Sequence, residues 1–134
     1  MDPMKDFFRR DALAAHLGIE LLEVAPGRAV AQLAVRDCHR NSVGLVHGAA
    51  MFALADFAFA AASNAHGTVA VALNANICFL RPPAGGTLTA SASEVSLGRT
   101  VATYAIDVTD DSGRKAAVFQ GMVFRKGDAI NWTG

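Results

Sequence analysis

Residues 48–62 read GAAMFALADFAFAAA. Apart from Asp56, this stretch contains only Gly, Ala, Met, Phe and Leu. Such a composition favours helix. It falls short of the roughly 20 apolar residues that a membrane-spanning helix needs, so it reads as a buried helix inside a globular domain. A helix that is apolar nearly all round must be covered on most of its sides. Asp56 is also the only formally charged side chain between Arg40 and Arg81. An isolated carboxylate among such neighbours is costly unless it is used or paired, which makes it the first candidate for function.

Outward from this helix, Asn41-Ser42-Val43-Gly44-Leu45-Val46 forms a polar, glycine-containing loop that runs into His47-Gly48. The helix is predicted over residues 47–65, with His66-Gly67 ending it. Farther upstream, Asp2-Pro3 reads as an N-cap followed by proline at the first helical position. That predicts one short helix over residues 3–17, with Phe7, Phe8, Leu13 and Leu17 on its apolar side and Gly18 as its stop. Residues 19–25 and 28–36 read as strands joined at Pro26-Gly27, a turn signal.

Downstream, every segment looks extended. Val69, Val71, Leu73, Ala75, Ile77 and Phe79 form one alternating apolar face of a long strand, which residues 81–86 break. Residues 87–96, 99–109 and 114–126 follow as three more strands. Leu97-Gly98 and Asp110-Asp111-Ser112-Gly113 make the turns, and residues 127–134 read as a loose tail. Consecutive strands joined by short turns imply an antiparallel sheet. The predicted class is α+β: a curved antiparallel sheet wrapped around one long central helix, the hotdog arrangement, as a single domain over residues 1–134.

Composition narrows the function. Hydrophobic residues make up 52% of the 134. That is high for a small chain and predicts apolar surface buried in a homodimer. Twelve Lys and Arg balance twelve Asp and Glu, which gives no footprint for nucleic acid. Cys38 and Cys78 fit no zinc or redox spacing. The start, MDPMKDFFRR, lacks a secretory apolar run, so a cytoplasmic location is expected. His16, His39 and His66 form no metal constellation with His47, and Cys38 has no defined base partner. No metal, cofactor or thiol nucleophile is expected.

Asn41, His47-Gly48, Leu54-Ala55-Asp56, Asn64, Gly67 and Phe79-Leu80-Arg81-Pro82 together resemble the hotdog-fold acyl-CoA thioesterases of the phenylacetic-acid-degradation type. Their pattern places an Asn, five intervening residues and a His-Gly-Gly, then a Leu-Ala-Asp, then a Phe-(Leu)-Arg-Pro at a strand end. The likeness runs from about residue 8 to 126. It departs in two places. Ala49 replaces the second glycine, and alanine is the better helix former, so the role of the Gly48 N–H survives. The strand after the helix, VAVALNAN over residues 69–76, has no Ser or Thr to position water, which leaves Asn74, Asn76 or neither.

A thioester carbonyl needs a nucleophile on one side and an oxyanion stabiliser on the other. The first turn of a helix offers unpaired N–H groups and partial positive charge. A helix starting near His47 would aim the Gly48 N–H at the thioester oxygen, and such a donor typically supplies ~2.7–4 kcal/mol. Alternatively, Gly48 simply opens the helix. Asp56 lies eight residues on, about 12 Å along the axis at 1.5 Å per residue, too far to meet a thioester bound at Gly48 of the same helix. The resemblance implies the answer: two such helices pack antiparallel across a dimer, and Asp56 of one protomer faces Gly48 of its partner. There it would be general base for water, or attack directly to give a mixed anhydride; a structural acid capping a neighbouring segment is the plainer reading.

Asn41 would orient the water or the carboxylate, or is an ordinary turn residue. His47 would polarise the thioester or fix the loop. Arg81, Arg99, Arg125 and Lys126 are candidates for the coenzyme A phosphates, or solvated strand-end charges. Phe57, Phe59 and Phe79 line an acyl pocket or pack the core. The resemblance also implies that dimers pair into a homotetramer. The expected activity is hydrolysis of an acyl-CoA thioester to free acid and coenzyme A, with coenzyme A as part of the substrate. Its rivals are a hotdog hydratase or dehydratase, which needs a His-based pair that this helix lacks, and a non-catalytic acyl-CoA-binding module.

Overall fold

The computed structural model describes residues 2–134. Two short helices open the chain, α1 (Pro3–Phe8) and α2 (Ala12–Leu17). The sequence predicted one helix here. The chain instead turns at Arg9–Arg10 and restarts at Asp11, whose carboxylate accepts from the Ala14 N–H at 2.9 Å. Gly18 closes α2 in the left-handed conformation, φ 84°. Strands β1 (Ile19–Ala25) and β2 (Arg28–Ala34) follow, then a 3-10 turn over Asp37–His39 and the long helix α3 (Gly48–Asn64). Four strands complete the fold: β3 (Thr68–Phe79), β4 (Thr87–Leu97), β5 (Val101–Thr109) and β6 (Lys115–Ala129).

The six strands form one antiparallel sheet in the order β1-β2-β4-β5-β6-β3. The segment carrying α3 therefore starts after β2, crosses the concave face, and delivers β3 to the far edge. Helix α3 rests on that face, its Leu54, Ala58, Phe59 and Ala62 buried with Leu33, Leu88, Ile106 and Phe119 of the sheet. Gly121 of β6 lets the sheet approach. A Cβ there would lie 2.6 Å from the Phe59 ring, closer than packing tolerates. This is the hotdog arrangement.

One predicted pattern fails in an informative way. The six apolar residues of β3 do not share a face. Ala72 pairs with Val123 and Asn74 with Met122, so Leu73 is an extra residue on β3. Paired residues share a face of a sheet. Ala75 opposes Gly121, and Ile77 opposes Phe119, on the helix side. Val71 opposes Phe124, which opposes Val101, on the outer side, where all three stay exposed. A bulge inserts one residue and so reverses the alternation.

The tail is not loose. Strand β6 runs on to Ala129, and Ile130 N–H donates to the Gly67 carbonyl at 2.9 Å. Trp132 then packs edge-on against Phe7 and Phe8, with ring centroids 5.2 and 5.6 Å away. At the C-terminal end of α3, His66 Nε2 lies 2.6 Å from Glu94 Oε1, and the buried Tyr104 hydroxyl donates to the same oxygen at 2.7 Å.

Candidate active site

The loop before α3 builds the first half of the site. Asn41 Oδ1 accepts from the Val43 and Leu45 N–H groups at 3.1 and 3.0 Å, and Asn41 N–H donates to the Leu45 carbonyl at 2.8 Å. Asn41 is thus the turn residue that shapes this loop. Its Nδ2 has no partner among the described residues. Arg40 fixes the loop from behind, donating to the carbonyls of Gly44 at 2.9 Å and Ala84 at 3.3 Å.

His47 is the N-cap of α3. Its Nδ1 accepts from the Ala49 N–H at 3.0 Å, while its own N–H donates to the His39 carbonyl at 2.7 Å. Nδ1 is therefore the unprotonated nitrogen of a neutral ring. The Ala50 and Met51 N–H groups turn back to the His47 carbonyl at 3.0 and 3.3 Å. Among the described residues, this leaves the Gly48 N–H as the first-turn donor with no acceptor. A cavity of about 310 Å³ opens at this point, lined by Asn41, Gly48, Met51, Phe79, Leu80 and Arg81 among others. Gly48 also leaves room for Phe79: a Cβ there would lie 2.9 Å from Phe79 Cζ, so that ring would have to shift.

Asp56 is elsewhere. It lines a separate cavity of about 50 Å³ with Asp11, Ala53, Phe57 and Ala60. Burial raises its pKa, and the neighbouring charge of Asp11 raises it further. No hydrogen-bond donor or cation of the described residues offsets either effect. The covering of α3 shows where the carboxylate faces. Ala50, Met51, Leu54, Ala55, Phe57, Ala58, Phe59, Ala61 and Ala62 are buried, whereas Ala49, Ala53, Asp56 and Ala60 are exposed or half-buried. Those four follow helical spacing and make a single stripe, with Asp56 in its middle.

The other candidates divide. Arg81 lines the Gly48 cavity and donates through Nε to the Lys115 carbonyl at 3.1 Å. Arg99 is exposed in the turn between β4 and β5, at the end of the sheet away from Arg81, since Val101 pairs near Val71 and Phe79 pairs with Ala117. Phe57 is buried yet borders three cavities under α1 and α2, of about 270, 440 and 50 Å³. Asn74 and Asn76 pair with Met122 and Gln120 on the outer face of the sheet, opposite to α3. On that face Asn74 does not meet Gly48 or Asp56 within one chain. Asp11 is the residue that the sequence reading used least; its signal was a capping residue before an apolar helical run. Among the described residues, no three His, Cys, Asp or Glu side chains lie close enough to share a metal ion.

Comparison with known proteins agrees with this geometry. Residues 43–117, from the loop through β3 and into β6, match the Thioesterase superfamily. The chain is 38% identical to the acyl-coenzyme A thioesterase PaaI of Escherichia coli over 124 residues, 92% of this chain and 89% of that one. The solved structure of E. coli PaaI, from the phenylacetic acid degradation operon, superposes with a TM-score of 0.89 at 36% identity, covering 94% of this chain and 92% of its own. A hypothetical thioesterase protein from Streptococcus pneumoniae, solved with coenzyme A, superposes at 0.85 with 27% identity, covering 95% and 99%. On fold and sequence alike, the chain belongs to the thioesterase superfamily, among the hotdog enzymes of the PaaI type.

Proposed function

We propose that this thioester hydrolase cleaves acyl-CoA to free acid and coenzyme A, at sites shared between two copies of the chain. The observation that carries the proposal is the position of Asp56 in the one stripe of α3 that the chain leaves partly uncovered. A second α3 packed antiparallel along Ala49, Ala53, Asp56 and Ala60 would bring Asp56 of one protomer over Gly48 of its partner. The thioester oxygen would accept from the Gly48 N–H. Asp56 would take a proton from water as the water oxygen attacks the carbonyl carbon. The tetrahedral intermediate then collapses, the C–S bond breaks, and the proton on Asp56 passes to the departing sulfur. A carboxylate with raised proton affinity is suited to this exchange. Direct attack by Asp56 to form a mixed anhydride uses the same placement.

Arg81 would meet a phosphate of coenzyme A. Phe57 would wall the acyl group, for which the cavity of about 440 Å³ between α1 and α3 offers room. Asn41 would hold water through its free Nδ2. The reaction as written needs no metal or redox cofactor, and we place it in the cytoplasm. The long edge strand β3 would pair with its copy in the dimer, and the exposed row Val71–Phe124–Val101 would serve contacts between dimers in a tetramer.

Free thiol release from a panel of acyl-CoAs tests the activity. Turnover of at least one member is expected; binding without release, or hydration of an enoyl-CoA with the thioester intact, would overturn it. Subunit exchange tests the sharing. Asn41→Ala and Asp56→Ala proteins, each inactive, should regain up to half of parental activity per mixed dimer, because one site then carries both lesions and the other neither. No recovery in heterodimers verified by mass spectrometry would refute the shared site.

A further inference from the structure

Asp11 and Asp56 both line the small cavity beside Phe57, whose other walls include Ala14, Ile19 and Ala53. Asp11 is not free to swing away. As N-cap of α2 it is held by the Ala14 N–H at 2.9 Å. The remaining charged groups nearby point elsewhere. Arg10 stacks on the Phe7 ring at 4.7 Å and donates to the Gly134 carbonyl at 2.7 Å. Arg9 pairs with Asp6 at 3.8 Å, and with Glu20 of β1 it borders the separate cavity of about 270 Å³. His16, in the last turn of α2, is exposed. Among the described residues, Asp11 is thus the only charged group that shares the Asp56 cavity.

We propose that Asp11 is a positioning residue acting through Asp56: its fixed negative charge makes the Asp56 carboxylate a stronger proton acceptor. Two like charges lining one small cavity cannot both ionise freely. Asp56 is the more buried of the two carboxylates and has no hydrogen-bond donor among the described residues, so the effect falls on Asp56. The raised proton affinity of Asp56, in which the Asp11 charge is the second cause after burial, agrees with this assignment. Helix α2 therefore does more than close one end of the sheet; it brings a charge to the reaction centre. The proposal rests on Asp56 being the base.

The test separates charge from capping. Asp11→Asn and Asp11→Ser keep a good N-cap while removing the charge; Asp11→Glu keeps the charge. Two readouts are followed with pH: the ¹³C carboxyl resonance of Asp56, assigned with Asp56→Asn, and kcat/KM for the best acyl-CoA. In both neutral variants the Asp56 midpoint and the acid limb of kcat/KM should move to lower pH, and in Asp11→Glu both should stay near the parental position. An unmoved Asp56 midpoint in Asp11→Asn and Asp11→Ser overturns the proposal, whatever the rates do. A midpoint that moves while the acid limb stays fixed supports the coupling and counts against Asp56 as the base.

Discussion

The two ends of α3 are built on opposite principles. At the C-terminal end Asn64, the Ala62 carbonyl and Glu94 are all held by hydrogen bonds. Asn64 Nδ2 donates to the carbonyls of Ala60 and Ala70, and its Oδ1 accepts from the Ala70 N–H. The Ala62 carbonyl accepts from the Gly27 N–H at 3.0 Å. Glu94 gathers His66 and Tyr104. At the N-terminal end, among the described residues, the Gly48 N–H and Asn41 Nδ2 have no partner and His47 is exposed. Saturation fixes a helix; an unfilled donor beside a cavity invites a ligand. On the proposed reading, the N-terminal end and the stripe through Asp56 are the working surface and the C-terminal end is its anchor.

The largest effect expected from breaking this contrast is at Asp56. Asp56→Ala should lower kcat on the order of 10²–10⁴-fold, the usual loss on removing a general base. The variant should fold, and it should melt no lower than the parent near neutral pH. The sign follows from linkage: burial and Asp11 raise the Asp56 pKa in the fold, so folding disfavours the ionised form. The gain should shrink as pH falls and the parental carboxyl takes up its proton. Near-parental turnover by a folded Asp56→Ala protein would remove Asp56 from the mechanism.

Gly48→Ala comes next. The added methyl would stand 2.9 Å from Phe79 Cζ, and that ring, half exposed, can move. Displacement on that scale at a reaction centre costs up to roughly 10²-fold in rate. Helix stability should not suffer, since alanine is the better helix former. Unchanged kcat/KM would mean that the thioester does not sit at this helix terminus.

At the anchored end the pattern should invert, with stability lost and chemistry kept. Tyr104→Phe deprives the Glu94 carboxylate of a buried donor and should cost about 1–3 kcal/mol in urea unfolding, with kcat unaltered. A large fall in kcat with normal stability would join this cluster to the reaction. The smallest effect should come from Glu94→Gln. Burial pushes the Glu94 carboxyl up, but hydrogen bonds from Tyr104 and His66 and the charges of His66 and Arg125 outweigh it and hold the pKa below its ordinary value. The stability due to this group is therefore present above its unfolded-state pKa and is lost as pH falls through the lower folded-state value. Glu94→Gln should flatten the acid side of the melting-temperature profile; a profile as steep as the parent's would refute this.

The sequence revealed α3 and Asp56 for one reason: a long apolar run with a lone acid has few physical solutions. It also revealed the strands, because their turns carry Gly, Pro and Asp. It concealed Leu73. An apolar residue inserted into an apolar strand leaves the alternation looking intact, so Val71 reads as facing the helix although it lies on the outer face. It concealed the break between α1 and α2, since Arg9 and Arg10 are good helix formers and only the capping chemistry of Asp11 marks the restart. The seat of Trp132 on Phe7 and Phe8 depends on contacts between distant parts of the chain, which local composition does not encode.

The bulge at Leu73 has a colloidal consequence. A strand at a sheet border presents a row of open backbone groups that can recruit further strands without limit. Here β3 occupies one border and β1 the other. Both carry an inserted leucine: Leu73 between the partners of Val123 and Met122, and Leu22 between those of Ala31 and Val30. Each insertion breaks the ladder and twists the border locally. A second chain can match that irregular contour only at a fixed registration, so the borders favour a closed pair over an open fibre. A protein with so much apolar surface can in this way stay dispersed at high concentration, and deleting Leu73 should be felt first as turbidity.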